Sequence, residues 1–230
     1  MAHLNSPQGP VYATRLKEIY RMHRRHALIA CLFSLLVVFA PQGARAEVTN
    51  DEVKAFVNSM AASAISSLTG KDLDRAVRKE RFRTMIHDFF AIKSIGIWVL
   101  GRHWRRATPE QRDQYLELFE NMLLERYVDG FKDYSGESLE ITRAERRQAN
   151  DFIVHTQLKR PGGAQPVDVG WRVGVAEKDG GNVFKIVDII VNGLSMALTQ
   201  QKEINSVIKN NGNSLDGLLD KMREMAKPAG

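Results

Sequence analysis

The chain has 230 residues, 43% hydrophobic and 26% charged, which is the composition of a folded domain and excludes a disordered chain. Its formal charge of +6 points toward nucleic acid or a membrane surface, but Arg15, Lys17, Arg21, Arg24, Arg25 and Arg45, set against Glu18, place most of that excess before Glu47. The rest of the chain is nearly neutral, so no nucleic-acid partner is expected.

The first element is a leader. A basic stretch, Arg21-Met22-His23-Arg24-Arg25, precedes an apolar run from Ala27 to Phe39 and the small-x-small site Ala44-Arg45-Ala46, the order of a cleavable secretion signal. Cleavage after Ala46 leaves Glu47 first, and a start at Met22 gives a leader of ordinary length. The apolar run is shorter than the ~20 residues of a spanning helix. Cys31, the only cysteine, follows Leu28-Ile29-Ala30 in the manner of a lipid-attachment site, yet most of the apolar run lies after it rather than before. The expectation is a signal and upstream segment over residues 1–46 and one mature domain over 47–230, exported and without thiol or disulfide chemistry.

In the mature part, Asn50, Asp51 and Glu52 open a helix whose apolar positions Val53, Phe56, Val57, Met60, Ala64 and Leu68 follow helical spacing up to Gly70. A polar stretch from Lys71 to Arg83 leads into Met85, Ile86, Phe89 and Phe90, and Ile95, Ile97, Trp98, Val99 and Leu100 close at Gly101. Thr108-Pro109-Glu110-Gln111 combines an N-cap hydroxyl, a first-turn proline and a glutamine placed to reach back. The long helix it starts carries Tyr115, Leu116, Leu118, Phe119, Met122, Leu123, Leu124, Tyr127, Val128 and Phe131. At ~100° per residue these cover over half the circumference, so the helix is buried on more than one side.

After Gly136 the apolar period changes from helical to alternating, over Leu139 to Arg143, Phe152 to Leu158, Val167 to Val175 and Val183 to Val191. In the third segment Val167, Val169, Trp171, Val173 and Val175 share one face, and Asp168, Gly170, Arg172, Gly174 and Ala176 the other. Short joints such as Asp179-Gly180-Gly181-Asn182 suit hairpins. Helix returns from Met196 to about Asn210 and from about Leu215 to Ala226. The fold class is α+β: N-terminal helices, a four-stranded antiparallel sheet and C-terminal helices in one domain.

Catalytic signatures are scarce. His87, His103 and His155 have no ligand-spaced partner, so no metal or other cofactor is expected. Gly193-Leu194-Ser195-Met196-Ala197 approaches a nucleophile elbow, but no histidine follows Ser195, and the serine reads as a helix cap. No phosphate-cradling glycine loop follows a strand. Arg102, Arg105 and Arg106, around His103 and Trp104, read as a solvated basic face. The enzymatic alternative uses Asp88 or Asp188 as a buried general base for an apolar substrate; a second alternative is a protein-binding adaptor or chaperone.

Two stretches carry a resemblance: Val99-Leu100-Gly101-Arg102-His103-Trp104 running into Thr108-Pro109-Glu110-Gln111, and Val187-Asp188-Ile189-Ile190-Val191-Asn192-Gly193-Leu194-Ser195. With Asp216-Gly217-Leu218-Leu219, and over about residues 51–225, the chain resembles the toluene-tolerance, MlaC-like family of periplasmic lipid-binding proteins. Met196-Ala197-Leu198-Thr199-Gln200-Gln201 and Ile208-Lys209-Asn210-Asn211-Gly212 resemble its hopanoid-associated HpnM branch, and Ile204 stands where the family usually has phenylalanine. The resemblance implies a soluble carrier in the periplasm of a Gram-negative bacterium. Its cargo would be a membrane lipid, phospholipid or hopanoid, and its partners an inner-membrane ABC transporter complex and an outer-membrane lipoprotein.

Such a carrier must shield ~30 methylenes of a two-tailed lipid, roughly 24 kcal/mol at ~0.8 kcal/mol each, which a shallow groove does not provide. The expected lipid-binding cavity sets Phe119, Met122, Leu123 and Tyr127 of the long helix against Trp171, Val173, Val187 and Ile189. Phe89, Phe90, Ile97 and Leu100 close its side.

Overall fold

The computed structural model describes residues 47–225; the expected leader lies outside them. Helix α1 (Asn50–Leu68) opens at Asn50 and is capped by Thr49, the residue before it. The Glu52 amide donates to Thr49 Oγ1 at 3.2 Å and the Thr49 amide donates to Glu52 Oε2 at 2.8 Å, a reciprocal cap. Helix α2 (Arg75–Phe89) begins inside the polar stretch Lys71–Arg83, because the Asp74 carboxylate accepts from the Ala76 amide at 2.7 Å.

The polar face of α2 has a use. Arg75, Lys79 and Arg83, one turn apart, meet acids of α4 (Pro109–Tyr127) and the 3-10 turn that follows it: Arg75 bridges Glu125 at 2.8 Å and Asp129 at 2.9 Å, Lys79 reaches Glu125 at 2.5 Å, and Arg83 reaches Glu120 at 3.0 Å. This ladder zips the two helices together antiparallel. Helix α4 itself begins as the sequence indicates. The Gln111 amide donates to Thr108 Oγ1 at 3.2 Å, and the Thr108 amide donates to Gln111 Oε1 at 3.0 Å.

Between them α3 (Ile92–Leu100) lies close against α4. A β-carbon on Gly96 would sit 3.0 Å from Leu116 and 3.1 Å from Phe119, a tight contact that either side chain would have to relieve, so glycine eases this approach. The Tyr115 hydroxyl locks it by donating to the Gly96 carbonyl at 3.0 Å.

The sheet is an antiparallel meander, β1 (Ser138–Gln148), β2 (Asp151–Lys159), β3 (Val167–Lys178), β4 (Gly181–Val191) and β5 (Leu194–Ser195), in that order. The four strands expected from alternation are joined by a fifth of two residues, too short to show any period. Asn192 and Gly193, both at positive φ (47° and 83°), turn the chain so that Ser195 pairs with Ile190. Asp179 and Gly180, at 52° and 79°, make the same kind of turn between β3 and β4.

Helices α5 (Met196–Asn210) and α6 (Leu215–Met225) complete the fold. Ser195 caps α5, accepting from the Leu198 amide at 3.0 Å, as read from the sequence. Three apolar clusters hold the layers: α1 with the inner face of the sheet through Val53, Val57 and Met60; α3, α4, α5 and α6 around Tyr115 and Phe119; and α2 with the end of α4 around Phe82 and Leu124. Helix α4 therefore serves two of the three clusters. Its remaining apolar side faces the cavity described next.

Candidate functional site

A cavity of about 760 Å3 lies between the helices and the sheet. Helix α4 gives it Phe119, Leu123 and Tyr127, one turn apart on one face. Across from them stand Val169 and Trp171 of β3 and Ile186, Ile189 and Val191 of β4. Helix α1 contributes Met60, Ala61, Ala64 and Ile65; α2 and the residue that follows it contribute Phe82, Met85, Ile86 and Phe90; Ile92 and Ile95 come from α3. The wall is almost wholly hydrocarbon. The Trp171 indole N–H, which would otherwise be an unpaired donor there, is taken by Thr156 Oγ1 at 3.0 Å.

Exposure tells the mouth from the floor. Ile65 (41%), Tyr127 (36%), Asp133 and Arg160 are exposed, whereas Phe119 (1%), Ile186 (0%) and Gln200 (5%) are buried. The mouth is polar: Asp133, Tyr134, Glu137 and Arg160 line it, and a recess that shares Thr69, Asp133 and Tyr134 with the cavity adds Lys71, Lys132 and Ser135. The Tyr134 hydroxyl is fixed there by donating to the Glu137 carbonyl at 3.1 Å. A molecule with a charged end and a long apolar body matches this gradient.

Of the twelve residues expected around the cavity, the structure puts Phe90, Phe119, Leu123, Tyr127, Trp171 and Ile189 on its lining. It places the other six elsewhere, each for a definable reason. Val173 shares the inner face of β3 with Trp171, but it is fully buried in the cluster between α1 and the sheet and is core. Phe89 is packed between two clusters and against Phe56, with ring centroids 5.7 Å apart. Leu100 and Met122 point into the cluster shared with α5 and α6. Ile97 follows Ile95 by two residues, about 200° around the helix, and so turns away from the cavity that Ile95 lines.

Val187 is displaced by a bulge. The β3–β4 register passes from Arg172↔Asp188 to Val173↔Ile186, so two residues of β4 share one partner and the alternation slips. Ile186 and Ile189, three apart, both face the cavity, and Val187 lies on the outer face, where a β-carbon on Gly174 would be 3.0 Å from it.

The bulge also settles where Asp188 goes. It reaches the cavity wall, but its oxygens are engaged: Oδ1 accepts from the amides of Ile189 (2.8 Å) and Ala197 (3.0 Å), and Oδ2 from the Ser195 hydroxyl at 2.6 Å. Its evident task is to anchor the start of α5. Asp88 is exposed at the end of α2 and does not line the cavity. The basic residues Arg102, Arg105 and Arg106 are exposed on the 3-10 turn Gly101–Arg106, away from the cavity lining.

Among the described residues no group of histidines, cysteines and acids could hold a metal ion, and no helix is long and apolar enough to cross a membrane. Sequence reasoning missed the contributions of α1, of Phe82, Met85 and Ile86 on α2, of Ile92 and Ile95, of Val169, Ile186 and Val191 on the sheet, of Leu139 and Leu158, and of Gln200. The α1 stripe was visible as an amphipathic face; which strands it would cover was not.

The sequence model of the MlaC protein family matches residues 53–224. The chain is 24% identical over 132 residues to the intermembrane phospholipid transport system binding protein MlaC of Haemophilus influenzae, covering 57% of this chain and 60% of that protein. It is 26% identical over 120 residues to the toluene tolerance protein ttg2D of Pseudomonas putida, covering 52% and 53%. It thus spans somewhat over half the length of these curated relatives. A solved phospholipid-binding protein of Ralstonia solanacearum, in complex with a phospholipid, has the same fold, with a TM-score of 0.65 at 22% identity over 75% of this chain and 95% of that one.

Proposed function

Since this chain belongs to the MlaC family, we propose that it is a periplasmic lipid carrier that holds the apolar part of a membrane lipid in the cavity and moves it between the inner and outer membranes. The observation that carries this reading is the cavity itself: about 760 Å3, walled by hydrocarbon and open at a polar mouth. At about 30 Å3 for a water-sized group, that volume takes on the order of 25 methylenes. Their transfer from water is worth roughly 20 kcal/mol, which is most of what two acyl tails need. The names of the relatives, a phospholipid transport binding protein and a phospholipid-binding protein, support the same class of cargo.

The lipid would enter tails first, with its headgroup at the mouth. Arg160, Lys71 and Lys132 surround that position and suit a phosphate. Loading and unloading would be done by membrane-bound partners, an inner-membrane ABC transporter complex and an outer-membrane lipoprotein, as the family resemblance implies. A hopanoid, the alternative cargo from the HpnM resemblance, is as apolar and fits the same wall. Against the enzymatic alternative, both oxygens of Asp188 are occupied by bonds that build the fold.

The test is transfer between membranes. The purified protein should move a labelled phospholipid from donor to acceptor vesicles at a rate proportional to its concentration. A protein that binds neither vesicle-derived phospholipid nor hopanoid, and leaves transfer at the spontaneous rate, would contradict the carrier reading.

A further inference from the structure

Three polar side chains are buried among the described residues: Arg78, Thr156 and Gln200. Arg78 donates to the carbonyls of Leu68 (3.0 Å) and Gly70 (2.9 Å), closing the end of α1. Thr156 donates to the Val169 carbonyl at 2.9 Å and accepts from the Trp171 indole. Gln200 differs. It is 5% exposed, and its side-chain amide has no hydrogen-bond partner among the described residues.

Its position gives the reason. Gln200 lines the cavity from α5, on the face it shares with Met196 and Ala197, and belongs to the buried end rather than the mouth. The amide nitrogen and oxygen are not sealed off, and a plain hydrocarbon tail that displaced the water from them would leave them unpaired, which is costly. Asp188, the other polar residue of that wall, already accepts three hydrogen bonds from the protein.

We propose that Gln200 forms a polar subsite at the closed end of the cavity, and that the cargo carries a hydroxyl on its buried, apolar part. A hydroxyl both donates and accepts, so it can answer the carbonyl or the NH2 of the amide. A hydroxylated acyl chain and a hydroxylated terpenoid present the same group. This inference rests on the carrier reading and narrows its substrate class.

The experiment uses the delipidated protein and displacement of a bound fluorescent fatty acid. One arm compares octadecanoic acid with a positional series of monohydroxyoctadecanoic acids; the other compares a hopane hydrocarbon with its monohydroxylated alcohol. The wild type should bind at least one hydroxylated member about tenfold more tightly than its parent, the factor one net hydrogen bond carries, and the arm in which this occurs names the cargo. In Gln200→Leu and Gln200→Met that preference should vanish; circular dichroism identifies which variants are folded, and either one suffices. A wild type indifferent to the hydroxyl in both arms would overturn the subsite while leaving the carrier reading intact. So would a preference that survives in a folded variant. Failure of every lipid to bind would remove the carrier reading and the subsite with it.

Discussion

Leu123→Arg places a cation in the middle of the cavity. Leu123 lies one turn from Phe119, which is 1% exposed at the floor, and one turn from Tyr127, which is 36% exposed at the mouth. An arginine there can lead its head toward the mouth along its own apolar stem, so the fold should survive. The cavity would not survive unchanged. The longer side chain and the water it retains take the place of about four methylenes of cargo, worth about 3 kcal/mol, or more than a hundredfold in affinity. Displacement of a fluorescent phospholipid measures this, with circular dichroism as the check on folding and Leu123→Met, close in volume, as the variant expected to bind normally. A folded Leu123→Arg protein that binds phospholipid like the wild type would refute the placement of the tails against α4.

Three further outcomes follow from the geometry. Val173→Ala, in the core between α1 and the sheet, should lower stability by about 2 kcal/mol and leave phospholipid affinity unchanged, as chemical denaturation beside the displacement assay would show. Asp188→Asn exchanges a carboxylate that receives three hydrogen bonds for an amide that cannot accept them all. It should cost about 1–3 kcal/mol of stability, with lipid transfer retained per folded molecule. The ladder between α2 and α4 predicts an acid dependence. Burial pushes the Glu125 carboxyl up, but hydrogen bonds from Lys79 and Arg75 together outweigh it and hold the group below its ordinary 4.5. Its stabilising contribution is therefore complete above pH 4.5 and is lost as pH falls through the lowered folded value. Thermal unfolding as a function of pH should show this loss in the wild type and a shallower one in Glu125→Gln.

Much of the architecture was legible because it follows from local chemistry. The Thr108–Gln111 cap, the Ser195 cap and the alternation of β3 are written in residues close in sequence, and each stands where expected. What could not be read depends on partners. Trp171 and Val173 look alike in β3, and only their packing against elements distant in sequence makes one a wall of the cavity and the other fully buried core. The bulge at Val187–Asp188 exists in the pairing with Arg172 and has no mark in β4 itself. The polar run Arg75–Arg83 has no evident role until the acids of α4 are seen opposite. Gln200 was hidden for a related reason: a glutamine in an amphipathic helix is usually a solvent-facing residue, and its burial against a cavity depends on elements distant in sequence.

The central claim is that the cavity between α4 and the sheet shelters hydrocarbon. Mass spectrometry of an organic extract from the protein, purified from its native cells without added detergent, tests it most directly. The expected result is a membrane lipid in near-stoichiometric amount, absent from a parallel Leu123→Arg preparation. Extracts of the wild type with no lipid above the level of that variant would contradict it.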